Sequence, residues 1–198
     1  MIIIDFHNFT IVLLFFIFSI ILCIYEYVKK KKNSFFTIVY KYSCILYGIF
    51  LIKYVFLPLT MFPDEFEKEI VSTFPYYQLI PLATITETIQ ETGNFVQIIG
   101  NAVLLFPLGV YLGLLDKKAI SFKYVFLKIT IITVSIETIQ LMINFLTQYP
   151  NKIFDIDDII LNIPGGLLGW IIIKYLAPHL EKENIPTIFN KKNNYYNG

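Results

Sequence analysis

Arginine is missing from this chain of 198 residues, so every basic side chain is a lysine, and the formal net charge is only +1. A chain with so little excess positive charge has no electrostatic basis for binding nucleic acid. Cysteine is also scarce, and both copies, Cys23 and Cys44, lie inside apolar runs. Their positions indicate core residues and argue against a role as metal ligands.

The usual catalytic signatures are missing as well. The sequence has no HExxH zinc motif, no glycine-rich phosphate loop, and no serine or cysteine nucleophile with an evident base. The two histidines, His7 and His179, lie near the chain ends, far from the polar clusters described below. These absences leave acidic and amide side chains as the candidates for any chemistry.

Apolar residues, by contrast, are abundant: they make up 56% of the chain, and the mean hydropathy is +0.64. Such values are typical of an integral membrane protein rather than of a soluble domain. Five apolar runs are close to the length needed to cross a bilayer. They cover residues 9–27, 35–59, 95–115, 122–146 and 159–176. We therefore predict an all-α protein with five transmembrane helices in the cell membrane.

Lysine clusters at residues 29–32, 117–123 and 182–192 predict the orientation of these helices. Because cytoplasmic loops are enriched in lysine, the N-terminus is expected outside and the C-terminus in the cytoplasm. No lysine precedes the first apolar run, so it is expected to remain as a span and not to be removed as a secretory signal. We predict two N-terminal helices over residues 1–59, a second region with an outer cap and three helices over 60–176, and a cytoplasmic tail over 177–198.

Polar side chains repeat on one face of each of the last three predicted spans, toward their outer halves. Their spacing of three or four residues places them on common helix faces: Asn94, Gln97 and Asn101; Glu137, Gln140 and Asn144; Asp158 and Asn162. A charged group deep in the bilayer costs on the order of 2.5 kcal/mol or more, so Glu137 is expected to face other polar groups. We predict an outward-facing pocket with Asn101, Gln140 and Asn162 as ligand-binding residues. The alternative is that these groups only hold the helices together.

Three aspartates, Asp155, Asp157 and Asp158, precede the fifth apolar run. Aspartate is favoured at the first turn of a helix, and one such residue suffices for capping. Three together also attract a cation, which is either Mg²⁺ or Ca²⁺ or a basic group on a ligand, and we keep both the capping and the cation interpretation. If a reaction is catalysed, these aspartates and Glu137 are the candidate catalytic residues.

Two helix-packing features are also visible. Pro107 lies in the middle of the third span and is expected to kink it. Gly165 and Gly169 are separated by three residues, a spacing that predicts close packing against another helix.

Taken in order along the chain, these residues resemble the VanZ-like family of bacterial membrane proteins. The resemblance covers residues 76–176 and is carried by three motifs: Asn101-x₄-Phe106-Pro107-x-Gly109; Glu137-x₂-Gln140; and Asp155-Ile156-Asp157-Asp158-x₃-Asn162-x₂-Gly165-Gly166-x₂-Gly169. Lys152 stands where the family commonly has arginine, so the two-pronged grip of arginine on a phosphate is lost. The resemblance implies a link to tolerance of teicoplanin-type lipoglycopeptide antibiotics.

Three functional hypotheses follow. In the first, the pocket engages a lipid-linked cell-wall precursor or a phospholipid head group, with a divalent cation held by the aspartates. In the second, the protein is a small ion-coupled transporter that uses Glu137; the apolar inner halves at 106–115 and 167–173 argue against it. In the third, it is a membrane scaffold without catalytic activity.

Overall fold

The computed structural model describes residues 2–30, 34–63, 75–92, 95–182 and 185–189. In chain order its elements are β1 (Ile2–Ile4), α1 (Asn8–Val28), α2 (Phe35–Phe56), β2 (Leu59–Met61), β3 (Tyr77–Gln78), α3 (Ala83–Glu87), a π-helical turn (Thr88–Thr92), α4 (Val96–Leu104), α5 (Phe106–Leu115), a 3-10 turn (Lys117–Ile120), α6 (Phe122–Thr147), β4 (Phe154–Asp155) and α7 (Ile156–Lys182). Five candidate membrane spans result, with α4 and α5 counted as one, which confirms the predicted helical membrane fold. The orientation of the termini stays a prediction.

Two short strand pairs connect the loops at one end of the helix bundle. Strand β1 pairs antiparallel with β2, and β3 pairs parallel with β4. The second pair joins the segment before α3 to the two residues just before α7. We call this end, where α4 and α7 begin and α6 ends, the cavity end; the other is the opposite end.

The third span is interrupted near Pro107, as the sequence predicts. Helix α4 ends before Leu105, and α5 begins at Phe106 with the proline in its first turn. Proline has no N–H to donate, so carbonyl groups in the preceding turn need other partners. The hydroxyl of Tyr47 on α2 donates to one of them, the carbonyl oxygen of Leu104, at 2.9 Å.

Helix α7 is the centre of the bundle and packs on α4, α5 and α6. Glycines allow the backbones to approach closely. A Cβ atom added at Gly165 would overlap the carbonyl oxygen of Ala102, and one at Gly169 would overlap that of Phe106. The predicted role of these glycines in helix packing is therefore seen in the structure.

Helix α7 is longer at both ends than the apolar run at 159–176, because Asp157 and Asp158 lie in its first turn and it runs on to Lys182. The predicted tail thus begins inside a helix. Beyond it, the backbone N–H of Ile188 donates to the carbonyl oxygen of Gly113 at 3.2 Å. The ring of Phe189 packs 6.0 Å from that of Trp170, so this short segment covers the opposite end of the bundle.

Helices α1 and α2 form a separate pair at the side of the bundle. Lys41 of α2 forms an ion pair with Glu26 of α1. Lys53 of α2 donates to the carbonyl oxygen of Phe6 at 2.9 Å. Helix α2 also packs on α5, and this contact joins the pair to the other helices.

Candidate functional site

A cavity of about 1060 Å³ lies at the cavity end of the bundle. Its wall is formed by α2, α3, α4, α6, α7 and the loops that connect them. Its polar and charged lining residues are Gln78, Thr84, Glu87, Gln97, Asn101, Glu137, Gln140, Asn151, Lys152, Asp155, Asp158 and Asn162. The wall also contains apolar residues, among them Val55, Leu104 and Ile136. A polar chamber therefore lies among the candidate membrane spans, at the cavity end.

Almost all of the site residues predicted from the sequence lie in this wall. The structure brings together Asn101, Glu137, Gln140, Asp155, Asp158 and Asn162 from three helices and β4. The exception is Asp157, which does not line the cavity and is only 1% exposed.

Glu137 lies in the second half of α6 and connects this helix to the start of α7. Only 1% of its surface is exposed. Its Oε2 atom accepts a hydrogen bond of 3.1 Å from the backbone N–H of Asp155. A buried carboxylate needs such donors to offset its loss of hydration. The Glu137 carboxylate therefore positions the acidic turn and also contributes to the cavity wall.

Asp158 is the aspartate of the cluster that pairs with another predicted site residue. Its Oδ1 atom accepts a hydrogen bond from Nδ2 of Asn101, which lies on α4. This contact joins the second half of α4 to the first turn of α7. Both side chains line the cavity, so the pair forms one part of its wall.

Asp155 and Asp157 have structural partners. Oδ1 of Asp155 accepts a 2.9 Å hydrogen bond from the backbone N–H of Asp157, which is typical of the residue that caps a helix. The carboxylate of Asp157 accepts from the backbone N–H groups of Leu82, at 2.5 Å, and Ile85, at 3.1 Å. Asp157 thus caps α3, an element far away in the sequence, and holds it against α7.

These partners also bear on the predicted cation. In the part of the chain that the structure describes, no three His, Cys, Asp or Glu side chains are grouped as a metal site requires. Asp155 and Asp157 are used as helix caps, Asp155 also accepts from Nε2 of Gln78 at 3.5 Å, and Asp158 accepts from Asn101. The aspartates therefore do not form a shared metal site by themselves.

Two amide side chains in the wall retain buried oxygen atoms without a hydrogen-bond partner. Nε2 of Gln140 donates to the carbonyl oxygen of Val55 at 2.9 Å, but its Oε1 has no partner. Oδ1 of Asn162 also has none. Both residues are more than nine-tenths buried. Since buried polar atoms are nearly always paired in native proteins, these oxygens indicate a missing donor.

The sequence analysis did not identify the loop between α6 and β4 as part of the site. Asn144 is completely buried, and its Nδ2 donates to the carbonyl oxygen of Lys152 at 2.6 Å. Asn151 accepts from the backbone N–H of Thr60 at 2.6 Å through its Oδ1. The position of Asn144 on the same helix face as Glu137 was the available signal. These contacts fix the loop that carries Lys152 into the cavity wall.

Comparisons with known proteins agree with the motifs in this site. A family profile described as VanZ/LLP1 matches residues 44–177, which is more than half of the chain. Protein VanZ of Enterococcus faecium is 26% identical over 144 residues, and the match covers 72% of this chain and 80% of that protein. No solved structure matches. The matched range includes the second half of α2 and every later helix that lines the cavity, but not α1.

Proposed function

This chain belongs to the VanZ/LLP1 family, and we propose that it is a cell-membrane protein whose cavity binds the head group of a lipid-linked envelope component. The observation that carries this proposal is the cavity itself, which collects polar residues from α4, α6 and α7. Polar groups inside a membrane bundle are expensive to maintain, and they typically mark a site for an ion or a ligand.

The mixed polar and apolar composition of the cavity wall supports a lipid as the source of the head group. Val55, Leu104 and Ile136 line the same space as Asn101 and Glu137. A ligand with a polar head and an apolar chain fits such a mixed wall, since each part then meets groups of its own kind. A lipid-linked cell-wall precursor and a phospholipid share this chemistry.

We further propose a role in tolerance of teicoplanin-type lipoglycopeptides. The basis is the family resemblance, together with a cavity suited to an envelope component that such drugs encounter. If the bound component is chemically modified, Glu137 and Asp158 are the catalytic candidates, because both are carboxylates in the cavity wall.

Two conservative substitutions test the proposal: Glu137→Gln and Asp158→Asn, each compared with wild type at equal abundance in the membrane. Each removes a carboxylate from the wall and preserves its size. We expect lipid binding by the purified protein to fall roughly tenfold, as for the loss of a charged hydrogen bond. Drug tolerance in cells is expected to fall toward that of cells without the protein.

Glu26→Gln and Asp116→Asn are matched controls. Glu26 is paired with Lys41 on the α1–α2 pair, and Asp116 is paired with Lys128 at the opposite end, so neither lines the cavity. Both controls are expected to retain binding and tolerance. If the cavity variants also retain both, the proposal is wrong. If they only lower thermal stability, the scaffold alternative is correct.

The structure does not favour the transporter alternative. On the opposite side of the α4–α5 break, the interior is filled by apolar side chains, including Leu112, Ile129 and Trp170, all of which are nearly or completely buried. Ion transport requires polar groups on both sides of a central site. Ion-dependent flux in proteoliposomes that is abolished by Glu137→Gln would revive the transporter hypothesis.

A further inference from the structure

Two buried amide oxygens of the cavity wall have no hydrogen-bond donor, and the nearby amide N–H groups of Asn101 and Gln140 are already used within the protein. Nδ2 of Asn101 donates to Asp158, and Nε2 of Gln140 donates to the carbonyl oxygen of Val55. Oε1 of Gln140 and Oδ1 of Asn162 have no donor, although both are buried. A ligand that satisfies this wall must therefore bring N–H or O–H donors.

The charge of the wall points in the same direction. Among the described residues, the cavity is lined by four carboxyl groups, those of Glu87, Glu137, Asp155 and Asp158, and by one lysine, Lys152. Within the described ranges, the ion pairs are Lys41 with Glu26 and Lys128 with Asp116, so neither Glu137 nor Asp158 belongs to one. Carboxyl groups that have no ion-pair partner in a site of low dielectric favour a cationic ligand.

From these two observations we infer that the cavity recognises a primary ammonium group carried by a membrane lipid or lipid-linked head group. A primary ammonium supplies a positive charge for carboxyl groups that have no ion pair, and its three N–H donors can reach the amide oxygens that have no donor. This inference rests on the proposed function and narrows its ligand class.

Lys152 supplies the second contact that such a head group needs. Its backbone carbonyl accepts from Nδ2 of Asn144 at 2.6 Å, and its backbone N–H donates to Oδ1 of the same residue at 3.4 Å. The loop is thereby fixed with its lysine in the cavity wall. A phosphate beside the ammonium group would be attracted to this lysine, so a zwitterionic head group fits better than a simple amine.

A glycine in the wall provides a way to fill the cavity without removing any polar group. A Cβ atom added at Gly100 would meet nothing within 4 Å, and Gly100 lines the cavity. Gly48 on α2 is equally open but does not line the cavity. Gly100→Phe is therefore expected to occlude the site, and Gly48→Phe is its matched control.

The test measures binding of three lipids with identical acyl chains to the purified full chain in detergent micelles. Phosphatidylethanolamine has a primary ammonium, phosphatidylcholine has the charge without N–H donors, and phosphatidylglycerol has neither. We expect phosphatidylethanolamine to bind roughly tenfold more tightly than either of the others. Asp158→Asn should reduce this preference. Competition by soluble phosphoethanolamine reveals whether the head group alone suffices or the acyl chains are also needed.

The results separate the inference from the proposed function. If wild type binds the three lipids equally but Gly100→Phe abolishes binding and Gly48→Phe does not, the ammonium inference is wrong and the lipid site stands. If Gly100→Phe alters neither lipid binding nor drug tolerance, the cavity is not a site and both proposals fail. Both proposals are supported if wild type prefers phosphatidylethanolamine, Gly100→Phe loses this binding, and Gly48→Phe retains it.

Discussion

Each of the three neighbouring aspartates has a different partner, although they lie within four residues of one another. Asp155 caps its own helix, Asp157 caps α3, and Asp158 pairs with Asn101 in the cavity wall. The sequence indicated capping or ligand binding for the group as a whole. The sequence did not show which aspartate has which role, because the partners of Asp157 and Asp158 lie more than fifty residues earlier in the chain.

Asp116, at the opposite end, provides a residue whose contribution depends on pH. Burial alone would raise the pKa of its carboxyl group. Hydrogen bonds from Lys128, from Tyr124 and from the backbone N–H of Lys118 outweigh this effect and hold the pKa below its ordinary value of 3.8. A carboxyl group with a lower pKa in the folded state stabilises the protein above its unfolded-state pKa.

We therefore predict that Asp116→Asn lowers the free energy of unfolding at pH 7 by about 1 kcal/mol, a modest value because the ion pair is partly exposed to solvent. The difference from wild type should stay constant down to about pH 5 and shrink below about pH 4, where the carboxyl group becomes protonated in the unfolded chain and then in the folded one. Thermal unfolding in detergent across this pH range measures it. A difference that grows toward acidic pH would contradict the prediction.

At the scale of helices, apolar runs and proline were sufficient to predict the spans and the break near Pro107. Membrane-spanning segments have a minimum length that the sequence displays directly. The extent of α7 was not predictable in this way, because its first turn is acidic and Pro178 lies inside its last turns. Those ends are stabilised by contacts with distant residues, such as the one between Glu137 and the backbone N–H of Asp155.

The contact of α7 with α4 and α5 gives a prediction about glycine. Gly165→Ala and Gly169→Ala place a methyl group against the backbone carbonyls of Ala102 and Phe106, which cannot move aside without separating the helices. We expect each to lower the free energy of unfolding by about 3 kcal/mol or to prevent folding. Thermal unfolding in detergent measures the loss of stability. The yield of monodisperse protein after purification shows whether each variant folds.

Gly100→Ala is the control for these variants, because its new methyl group enters open space. This variant should be as stable as wild type or slightly more stable, since alanine is the better helix former by roughly 0.5–1 kcal/mol. Equal effects at Gly100 and Gly165 would show that close backbone contact does not hold α7 in place.

At the scale of the whole molecule, the convergence of three polar helix faces was predictable, because each face was visible in its own span. The arrangement of the loop between α6 and β4 was not predictable, since nothing in the local sequence shows that Asn151 contacts Thr60 or that Asn144 contacts Lys152. Long-range hydrogen bonds of this kind depend on the complete fold. Of the predicted cap, the structure describes β3, α3 and the π-helical turn, and residues 64–74 lie outside the described residues.

The distribution of lysine predicts that the cavity end faces away from the cytoplasm. Single cysteines test this in a chain whose Cys23 and Cys44 are changed to alanine. Ile153→Cys places an exposed thiol at the cavity end, and Lys118→Cys places one at the opposite end. A membrane-impermeant thiol reagent should label the first variant in intact cells and the second only after permeabilisation. The reverse pattern would place the cavity on the cytoplasmic side.

The single tryptophan of the chain gives this fold a built-in optical reporter. Its indole N–H donates to the carbonyl oxygen of Ala119 at 2.7 Å, and its ring contacts Phe122 and Phe189. Detachment of the segment that carries Phe189 would admit solvent and change the emission, whereas events among the distant acidic and amide groups would leave this chromophore in its apolar surroundings. Intrinsic fluorescence of the unlabelled protein thus distinguishes movements at one pole of the molecule from occupancy at the other.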